Sequence, residues 1–358
     1  MSNVIQLNVP CQLQGRTSRR NALIASFAQH RRFGDDVFWL KENAELLNIL
    51  ESSGEKLDEQ ALEFHQGFYD QIEKRLGFFP QYYRFLLSIC LDLEDLGMPG
   101  SKGQALAQWI AHQGLVDTEL SDLQRFEARR LMLRRGIDPQ PDDTGLEDRV
   151  RSFMERSDTF AMPNKKAAYE LTHIVYYLSE YGRCDPELST AAITSLEFAG
   201  LLAYLEQNAD LLAEICVALR FGGQTPSPVW EDWLQRETHR FVISSGPQVS
   251  AQDDYHDFFV CNWLMAVSGR DAFIKETSFE RMAFYRAEQC TGPLRDMSEC
   301  MFRLEDQRSS DWHTMRPHVQ QMLTEIGYDI LTEAERSSDK FEEFFAGFAR
   351  TGLRGVAL

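Results

Sequence analysis

Histidine, tyrosine, serine and charged residues recur at matching positions of helices that are otherwise apolar, and these residues could do chemistry. Several predicted helices end at a glycine, and positions 13, 9 and 5 before that glycine share one helix face because they are four residues apart. This face contains Arg84, Ser88 and Asp92 before Gly97, Tyr169, His173 and Tyr177 before Gly182, and His256, Val260 and Leu264 before Gly269. The alignment predicts that these side chains point toward one common interior space.

Other helices of the same kind contribute fewer polar groups to this face. The alignment gives Glu127 before Gly136, and it gives Lys41, Glu45 and Ile49 before Gly54. By contrast, the helix before Gly222 presents Ala209, Ala213 and Val217. We expect this apolar face to leave room for a ligand.

The chemistry predicted from this face is acid–base catalysis or ligand contact within a cavity. A buried polar group without a hydrogen bond costs about 1 to 3 kcal/mol, so a shared polar cavity is favoured. A neutral imidazole near tyrosines can act as a general base or as a metal ligand. The predicted catalytic residues are His173, Asp92 and His256, and the predicted substrate contacts are Arg84, Ser88, Tyr169, Tyr177 and Trp263. The alternative is a set of separate buried ion pairs and hydrogen bonds, since a single buried histidine is more often structural.

A cluster of aspartates lies where the helix containing His256 begins. Asp253, Asp254 and Asp257 form a D-D-x-x-D pattern. The pattern resembles the motif of isoprenyl diphosphate synthases and class I terpene cyclases, and the resemblance implies carboxylates that bind Mg²⁺ and a diphosphate. Aspartate is also favoured at a helix N-terminus, and a second motif of the form N-D-x-x-S-x-x-x-E is absent from the sequence. We therefore predict no metal site, with these three aspartates as the alternative ligands.

Other motifs that would identify a reaction are missing from the sequence. It contains no G-x-S-x-G, no Walker A loop, no H-E-x-x-H and no dinucleotide-binding glycine fingerprint after a strand. The cofactor is therefore unknown from the sequence.

The elements that must position these residues are helices. Apolar residues recur at spacings of three and four in many windows, and strict alternation is rare. These windows include Asp36–Leu50, Lys166–Tyr181, Val229–Val242, Tyr255–Ser268 and His318–Arg336. The helix-ending glycines are 43, 39, 46, 40 and 47 residues apart, and each interval has room for one helical hairpin. The predicted fold class is all-α, with repeated helical hairpins that form an α/α toroid; an open α-solenoid is the alternative.

We predict three parts along the chain. They are a flexible N-terminal segment (residues 1–20), a helical-hairpin array (residues 21–310) and C-terminal helices packed on the same domain (residues 311–358). The helices that end at glycine are predicted to form an inner ring, because Ile174–Tyr181 and Phe258–Val267 carry almost no charge until their ends; their amphipathic partners pack outside. Phe341, Phe344, Phe345 and Phe348 mark one last amphipathic helix.

Two resemblances concern architecture. The segment Tyr169–Gly182 resembles a stretch of an uncharacterised bacterial all-helical family, which implies no activity. The hairpin array resembles the α/α barrels of terpenoid cyclases, protein prenyltransferases and lanthionine cyclases. A shared fold does not transfer function, so this resemblance implies only the architecture.

Composition excludes several classes of protein. The chain has 358 residues, of which 37 are basic and 55 acidic, and a net charge of −18 disfavours binding to nucleic acid or to an anionic membrane. The longest apolar run, Phe258–Val267, is shorter than the roughly 20 residues that a membrane span needs. Seven cysteines without a C-x-x-C pair are typical of a reducing compartment, and no signal peptide is visible. We therefore predict a cytoplasmic protein.

Three functions remain open from the sequence. The first is a cavity protein with biosynthetic or tailoring activity on a largely apolar or aromatic substrate. The second is a helical-repeat interaction protein that presents an acidic concave surface to a basic partner. The third is a magnesium-dependent enzyme that acts on a prenyl diphosphate.

Overall fold

The computed structural model describes residues 14–32, 36–286 and 291–352, and most of these residues are helical. The first half contains α1 (Arg16–Ala25), α2 (Val37–Ser52), α3 (Glu59–Phe78), α4 (Tyr83–Leu96), α5 (Lys102–His112), α6 (Asp122–Leu133), α7 (Leu146–Met154), α8 (Ser157–Phe160) and α9 (Lys165–Leu178). The second half contains α10 (Thr190–Glu206), α11 (Ala209–Phe221), α12 (Pro228–Arg240), α13 (Tyr255–Val267), α14 (Leu294–Leu304), α15 (Trp312–Gln320), α16 (Glu325–Ser337) and α17 (Phe341–Phe348). A π-helical turn, Ser26–His30, follows α1, and short 3₁₀ turns cover Pro80–Tyr82, Leu115–Thr118 and Glu305–Gln307. The predicted all-α class is confirmed.

A small sheet that the sequence analysis did not predict interrupts the helical array. Strands β1 (Phe241–Ser245) and β2 (Met282–Arg286) pair antiparallel, with Phe241 opposite Arg286. The helix predicted to reach Val242 ends at Arg240 instead. Each strand is only five residues long and pairs with a partner distant in sequence, so neither strand has a strong local signal.

Six of the helices contact one another in a continuous order. Helix α2 packs on α4, α4 on α6, α6 on α9, α9 on α11, α11 on α13, and α13 on α2. We call α2, α4, α6, α9, α11 and α13 the inner helices. Ten of the thirteen residues of α11 are buried, whereas only seven of the twenty residues of α3 are buried.

The other helices cover the inner ones from outside. Helix α3 packs on α4, α7 on α6 and α9, α10 on α9 and α11, and α12 on α11 and α13. At the C-terminal end, α14, α16 and α17 pack on α10, and α15 packs on α14 and α17. Buried apolar side chains form one connected cluster that extends from Leu23 to Ala349. The C-terminal helices therefore share the core of the array.

The positions of several predicted boundaries differ from the observed ones. The boundary proposed at residue 20 falls inside α1, and residues 1–13 of the proposed flexible segment lie outside the described residues. The predicted window His318–Arg336 is divided between α15 and α16. The predicted aromatic helix at the C-terminal end is α17, where Phe341 and Phe345 pack against the ring of Trp312. In the described part of the chain, no helix is long and apolar enough to cross a membrane.

Candidate functional site

A cavity of about 500 Å³ lies among the inner helices, and each of the six contributes to its wall. The wall includes seven of the eight residues predicted from the sequence: Arg84, Ser88, Tyr169, His173, Tyr177, His256 and Trp263. Lys41, Glu45, Ile49, Glu127 and Val260, which share the aligned face, also line it. The structure thus brings together side chains that are up to 222 residues apart in the sequence.

Asp92 is the predicted site residue that does not line the cavity. Its side chain is fully buried and pairs with Arg134, whose Nη1 lies 2.7 Å from Asp92 Oδ1. Ser88 Oγ donates a hydrogen bond to the other carboxylate oxygen at 3.2 Å. Asp92 therefore holds α4 against the end of α6. This geometry does not support the catalytic role that was predicted for Asp92.

Two carboxylates that the sequence analysis missed line the cavity from α11. Asp210 and Glu214 occupy the wall where the alignment on Gly222 had placed Ala209 and Ala213. Gly222 has a φ of −80°, whereas the next residue, Gly223, has a φ of +71° and occupies the left-handed region that favours glycine. Positions 13 and 9 before Gly223 are Asp210 and Glu214. The prediction that α11 presents an apolar face to the cavity was therefore wrong, because the alignment used Gly222 instead of the next residue, Gly223.

His256 lies at the centre of the polar end of the cavity. Its Nδ1 is 2.6 Å from Glu45 Oε1 on α2. Its Nε2 is 3.0 Å from Asp210 Oδ1 and 3.7 Å from Glu214 Oε1. The imidazole therefore connects α13 to both α2 and α11.

Neighbouring hydroxyl groups fix the two carboxylates of α11. The hydroxyl of Tyr169 donates to Asp210 Oδ2 at 2.5 Å, and Thr172 Oγ1 donates to Glu214 Oε2 at 2.6 Å. Both donors are on α9, so this helix orients the carboxylates from one side. Each carboxylate keeps its other oxygen on the side of His256.

The charged groups at the polar end of the cavity shift one another's pKa values. Burial opposes the charge of His256, but Glu45 and Asp210 raise its pKa well above the ordinary value of a histidine. Burial also opposes the charge of Asp210, yet His256 and Tyr169 lower its pKa. Burial raises the pKa of Glu214, and the charge of Asp210 adds to this effect. The two carboxylates of α11 thus differ in how readily they ionise.

His173, the most prominent candidate in the sequence, stands beside this cluster and is partly exposed to the cavity. Its Nδ1 lies 2.7 Å from the backbone oxygen of Tyr169 and 3.7 Å from Glu214 Oε2. The hydrogen bond to the backbone oxygen places the proton on Nδ1. The opposite ring nitrogen, Nε2, is then the one that can accept a proton.

Aromatic side chains form the other end of the cavity. Trp263 packs edge-on against Tyr176 with ring centroids 4.9 Å apart, and Tyr177 and Tyr181 complete this wall. The indole Nε1 of Trp263 is buried and has no hydrogen-bond partner among the residues that the structure describes. A buried indole N–H normally has an acceptor, so this donor is unsatisfied among the described residues.

A left-handed turn holds Tyr181 in this wall. Glu180 and Tyr181 have φ values of 48° and 54°, which are uncommon for residues other than glycine. The guanidinium of Arg130 lies 4.6 Å from the centroid of the Tyr181 ring, and its Nε pairs with Glu180 at 2.9 Å. These contacts hold the strained turn in place.

On the opposite side of the cavity, Arg84 is held by acidic residues. It pairs with Glu119 at 2.9 Å and with Glu127, which is itself part of the wall. Burial opposes the charge of Arg84, but these carboxylates raise its pKa. Arg84 is therefore a fixed positive charge.

The aspartates of the D-D-x-x-D pattern have structural contacts away from the cavity. Asp253 is fully buried, accepts from Arg31 Nη1 and Nη2 at 2.8 and 2.9 Å, and accepts from the backbone N–H of Phe284 at 2.7 Å. Asp254 accepts from the backbone N–H of Arg286 at 2.9 Å, and Asp257 Oδ2 is 3.9 Å from Arg286 Nη1. They hold β2 against the start of α13, and this arrangement does not fit the alternative magnesium site.

A different group in the described residues has the geometry to hold a metal ion, although the sequence analysis predicted no metal site. Asp210, Glu214 and His256 each present one ligand atom, and these atoms lie within 4.8 Å of one another. The i, i+4 spacing of Asp210 and Glu214 is the sequence signal that could have revealed two of the ligands, because it places both on one face of α11.

The chain belongs to the family described as "Domain of unknown function (DUF6902)", whose model matches residues 1–351. The match spans all six inner helices, so the cavity lies within the domain that defines the family. Neither the curated proteins nor the solved structures include a significant match to this chain.

Proposed function

We propose that this protein binds a small, largely apolar or aromatic molecule in the cavity and acts on it with the polar groups at one end. The observation that carries this proposal is the division of the wall into an aromatic end around Tyr177 and Trp263 and a polar end around His256. Ligand pockets of about 300 to 1,000 Å³ commonly combine apolar walls with a few fixed polar groups. The volume of this cavity, about 500 Å³, lies within that range.

We also propose that the inner helices form a closed α/α toroid with the cavity on its axis. The last inner helix, α13, packs on the first, α2, and the contact between His256 and Glu45 joins them. In an open solenoid each repeat contacts only its neighbours, so the first and last repeats stay apart. Closure favours a small-molecule ligand over the alternative of a basic protein partner, because the acidic groups face an interior space.

The residues of the wall have different roles in this proposal. His173 and His256 present imidazoles for proton transfer, and Asp210 and Glu214 take the place that the sequence analysis gave to Asp92. Arg84 and Ser88 contact polar groups of the ligand from α4. Tyr169 positions Asp210 through its hydroxyl group.

A thermal-shift screen of aromatic amines, phenols and aromatic carboxylates tests the proposal, because a ligand of the folded state raises the melting temperature. Tyramine, tryptamine, catechol and 4-hydroxybenzoate are suitable first probes. We expect at least one chemical class to stabilise the protein, both in EDTA and with added metal ions tested separately. The absence of any shift across all classes under both conditions would overturn the proposal.

Two tryptophans provide a matched pair of variants for any ligand that binds. Trp263→Phe removes the free N–H from the cavity wall, and Trp230→Phe removes another buried N–H that lacks a described partner but lies outside the wall. We expect Trp263→Phe to weaken the ligand about 10-fold, since a lost hydrogen bond contributes about 1.4 kcal/mol. Trp230→Phe should leave the affinity unchanged. Equal effects of both variants would place the ligand elsewhere.

A further inference from the structure

We propose that Asp210, Glu214 and His256 bind one divalent transition-metal ion at the polar end of the cavity. This inference deepens the proposed function because it concerns the same cavity, but its test uses metal ions without an organic ligand. The three residues come from two neighbouring inner helices: Asp210 and Glu214 are one turn apart on α11, and His256 is in the first turn of α13. The packing of α11 on α13 is what brings them together.

The distances between the ligand atoms fit a single ion. His256 Nε2 is 3.0 Å from Asp210 Oδ1 and 3.7 Å from Glu214 Oε1. Bonds of about 2.0 to 2.2 Å to Zn²⁺ place neighbouring ligand atoms roughly 3 to 3.5 Å apart. Small side-chain adjustments would therefore complete the coordination.

Each ligand is also held by a partner on its other atom. Glu45 contacts His256 Nδ1, Tyr169 donates to Asp210 Oδ2, and Thr172 donates to Glu214 Oε2. Metal-binding histidines usually bond a carboxylate or carbonyl through the nitrogen that does not bind the metal, and metal-binding carboxylates are oriented in the same way. All three partners lie outside the ligand set, and each of the three residues keeps a second atom on the side of the cluster, where their ligand atoms lie within 4.8 Å of one another.

The contact between two of these atoms is an ion pair rather than a well-formed hydrogen bond. Asp210 Oδ1 is buried, and no described residue gives it a hydrogen bond of good geometry. His256 Nε2, 3.0 Å away, forms an ion pair with it when the imidazole is protonated. A metal ion between Asp210 and His256 takes the place of that proton, so binding of the metal releases it.

The ligand types indicate which metals fit. Two carboxylates balance the charge of a divalent ion, and an imidazole favours Mn²⁺, Fe²⁺ or Zn²⁺ over Mg²⁺, which prefers oxygen ligands. Three protein ligands leave the remaining coordination positions open to the cavity, as in catalytic metal sites. The substrate class that follows is an aromatic molecule with an oxygen or nitrogen atom that can bind the metal.

The test measures metal binding to protein that has been stripped with EDTA. Calorimetric titrations with Zn²⁺ and Mn²⁺ give affinity and stoichiometry, and the visible absorption of bound Co²⁺ reports the coordination. We expect one ion per chain. Asp210→Asn and Glu214→Gln should each lower the affinity at least 100-fold, and Glu45→Gln should lower it about 10- to 100-fold as the loss of an outer partner does.

Glu127→Gln is the matched control for these variants. Glu127 is another carboxylate of the same cavity wall but contacts no member of the cluster, so we expect the metal affinity to change less than 3-fold. If Asp210→Asn does not fold, the metal affinities of Glu45→Gln and Glu214→Gln are compared with that of Glu127→Gln instead. Circular dichroism identifies which variants are folded.

Two results would overturn the metal proposal. One is a folded wild-type protein that binds none of these ions, and the other is binding that Asp210→Asn and Glu214→Gln leave unchanged. A failure of this inference is distinguishable from a failure of the proposed function. Aromatic ligands that bind in EDTA without any metal binding would contradict only the metal site, and metal binding without any aromatic ligand would contradict only the ligand proposal.

Discussion

Two buried clusters of charged residues use the same pair of helices, yet they differ in what is left unsatisfied. In the closed cluster, Arg31 bonds Glu42 of α2 and Asp253, which comes just before α13. The open cluster consists of His256 of α13, Glu45 of α2, and Asp210 and Glu214 of α11. Glu45 and His256 each lie three residues after their counterparts in the closed cluster, Glu42 and Asp253. One cluster is sealed in the core, and the other opens onto the cavity.

The two clusters differ in how completely their polar atoms are hydrogen-bonded. The side chains of Arg31, Glu42 and Asp253 are at most 1% exposed, and both oxygens of Asp253 accept hydrogen bonds from Arg31. A backbone oxygen, that of Met282, accepts a further bond from Arg31 at 2.6 Å. In the open cluster, by contrast, Asp210 Oδ1 has an ion pair with His256 but no well-formed hydrogen bond from a described residue, and the side chain of His256 is 34% exposed. The comparison indicates that the first cluster stabilises the fold and the second is available to a ligand.

The largest expected effect comes from breaking the closed cluster. Arg31→Met leaves Glu42 and Asp253 as buried charges without their shared partner, and breaking such a pair costs about 3 to 5 kcal/mol. Urea unfolding at pH 7 measures this loss. Arg32→Met is the control, because Arg32 pairs with Glu42 from a partly exposed position and should cost about 1 kcal/mol or less. A loss below 1 kcal/mol for Arg31→Met would contradict a structural role.

An intermediate effect is expected from a buried histidine of α3 that contacts α2. His65 is fully buried, its Nε2 contacts Asn43 Oδ1 at 2.8 Å, and burial lowers its pKa to about 4. Below pH 6.5 the unfolded chain binds the proton more readily, so the stability that is complete above this pH falls as the pH approaches about 4. From pH 7 to pH 5 this amounts to about 2 kcal/mol.

The measurement for His65 compares urea unfolding of the wild type and His65→Gln at several pH values. The difference between the two proteins isolates the histidine from the carboxylates that titrate in the same range. We expect the variant to lose less stability than the wild type as the pH falls. Identical pH dependence in the two proteins would show that His65 is not a buried neutral side chain.

The smallest expected effect has the opposite sign. Burial raises the pKa of Glu214, so its charged form is unfavourable in the folded protein at pH 7. Glu214→Gln keeps the shape and can still accept from Thr172, and we expect unfolding in EDTA to show a gain of about 1 kcal/mol. A loss of more than 1 kcal/mol would mean that the open cluster is structural like the closed one.

Much of the fold and part of the site could be predicted from the sequence because helix signals are local. Aligning α4 on Gly97 and α9 on Gly182 predicted the cavity-facing side of each helix correctly. The residues placed in this way on the cavity wall are Arg84, Ser88, Tyr169 and His173. On α11 the same logic failed, since two adjacent glycines follow Phe221 and only the φ of +71° identifies Gly223 as the aligned residue. Because of that one-residue shift, the sequence analysis did not identify Asp210 and Glu214 as residues of the cavity wall.

Contacts between distant segments could not be predicted. Glu45 and His256 are 211 residues apart, and their meeting depends on the contact between the first and last inner helices. Arg31 and Asp253 are 222 residues apart, so no local pattern indicated that this aspartate belongs to a sealed ion pair. The strands β1 and β2 are short and depend on the same long-range packing.

The most direct test of the account is an anomalous difference map from crystals of the protein grown with Zn²⁺ or Mn²⁺, measured at the absorption edge of the metal. The account predicts one strong peak between His256 Nε2, Asp210 Oδ1 and Glu214 Oε1, and no peak at Asp253 or Asp254. A map without a peak at His256, or with the metal bound by the aspartates that precede α13, would contradict it.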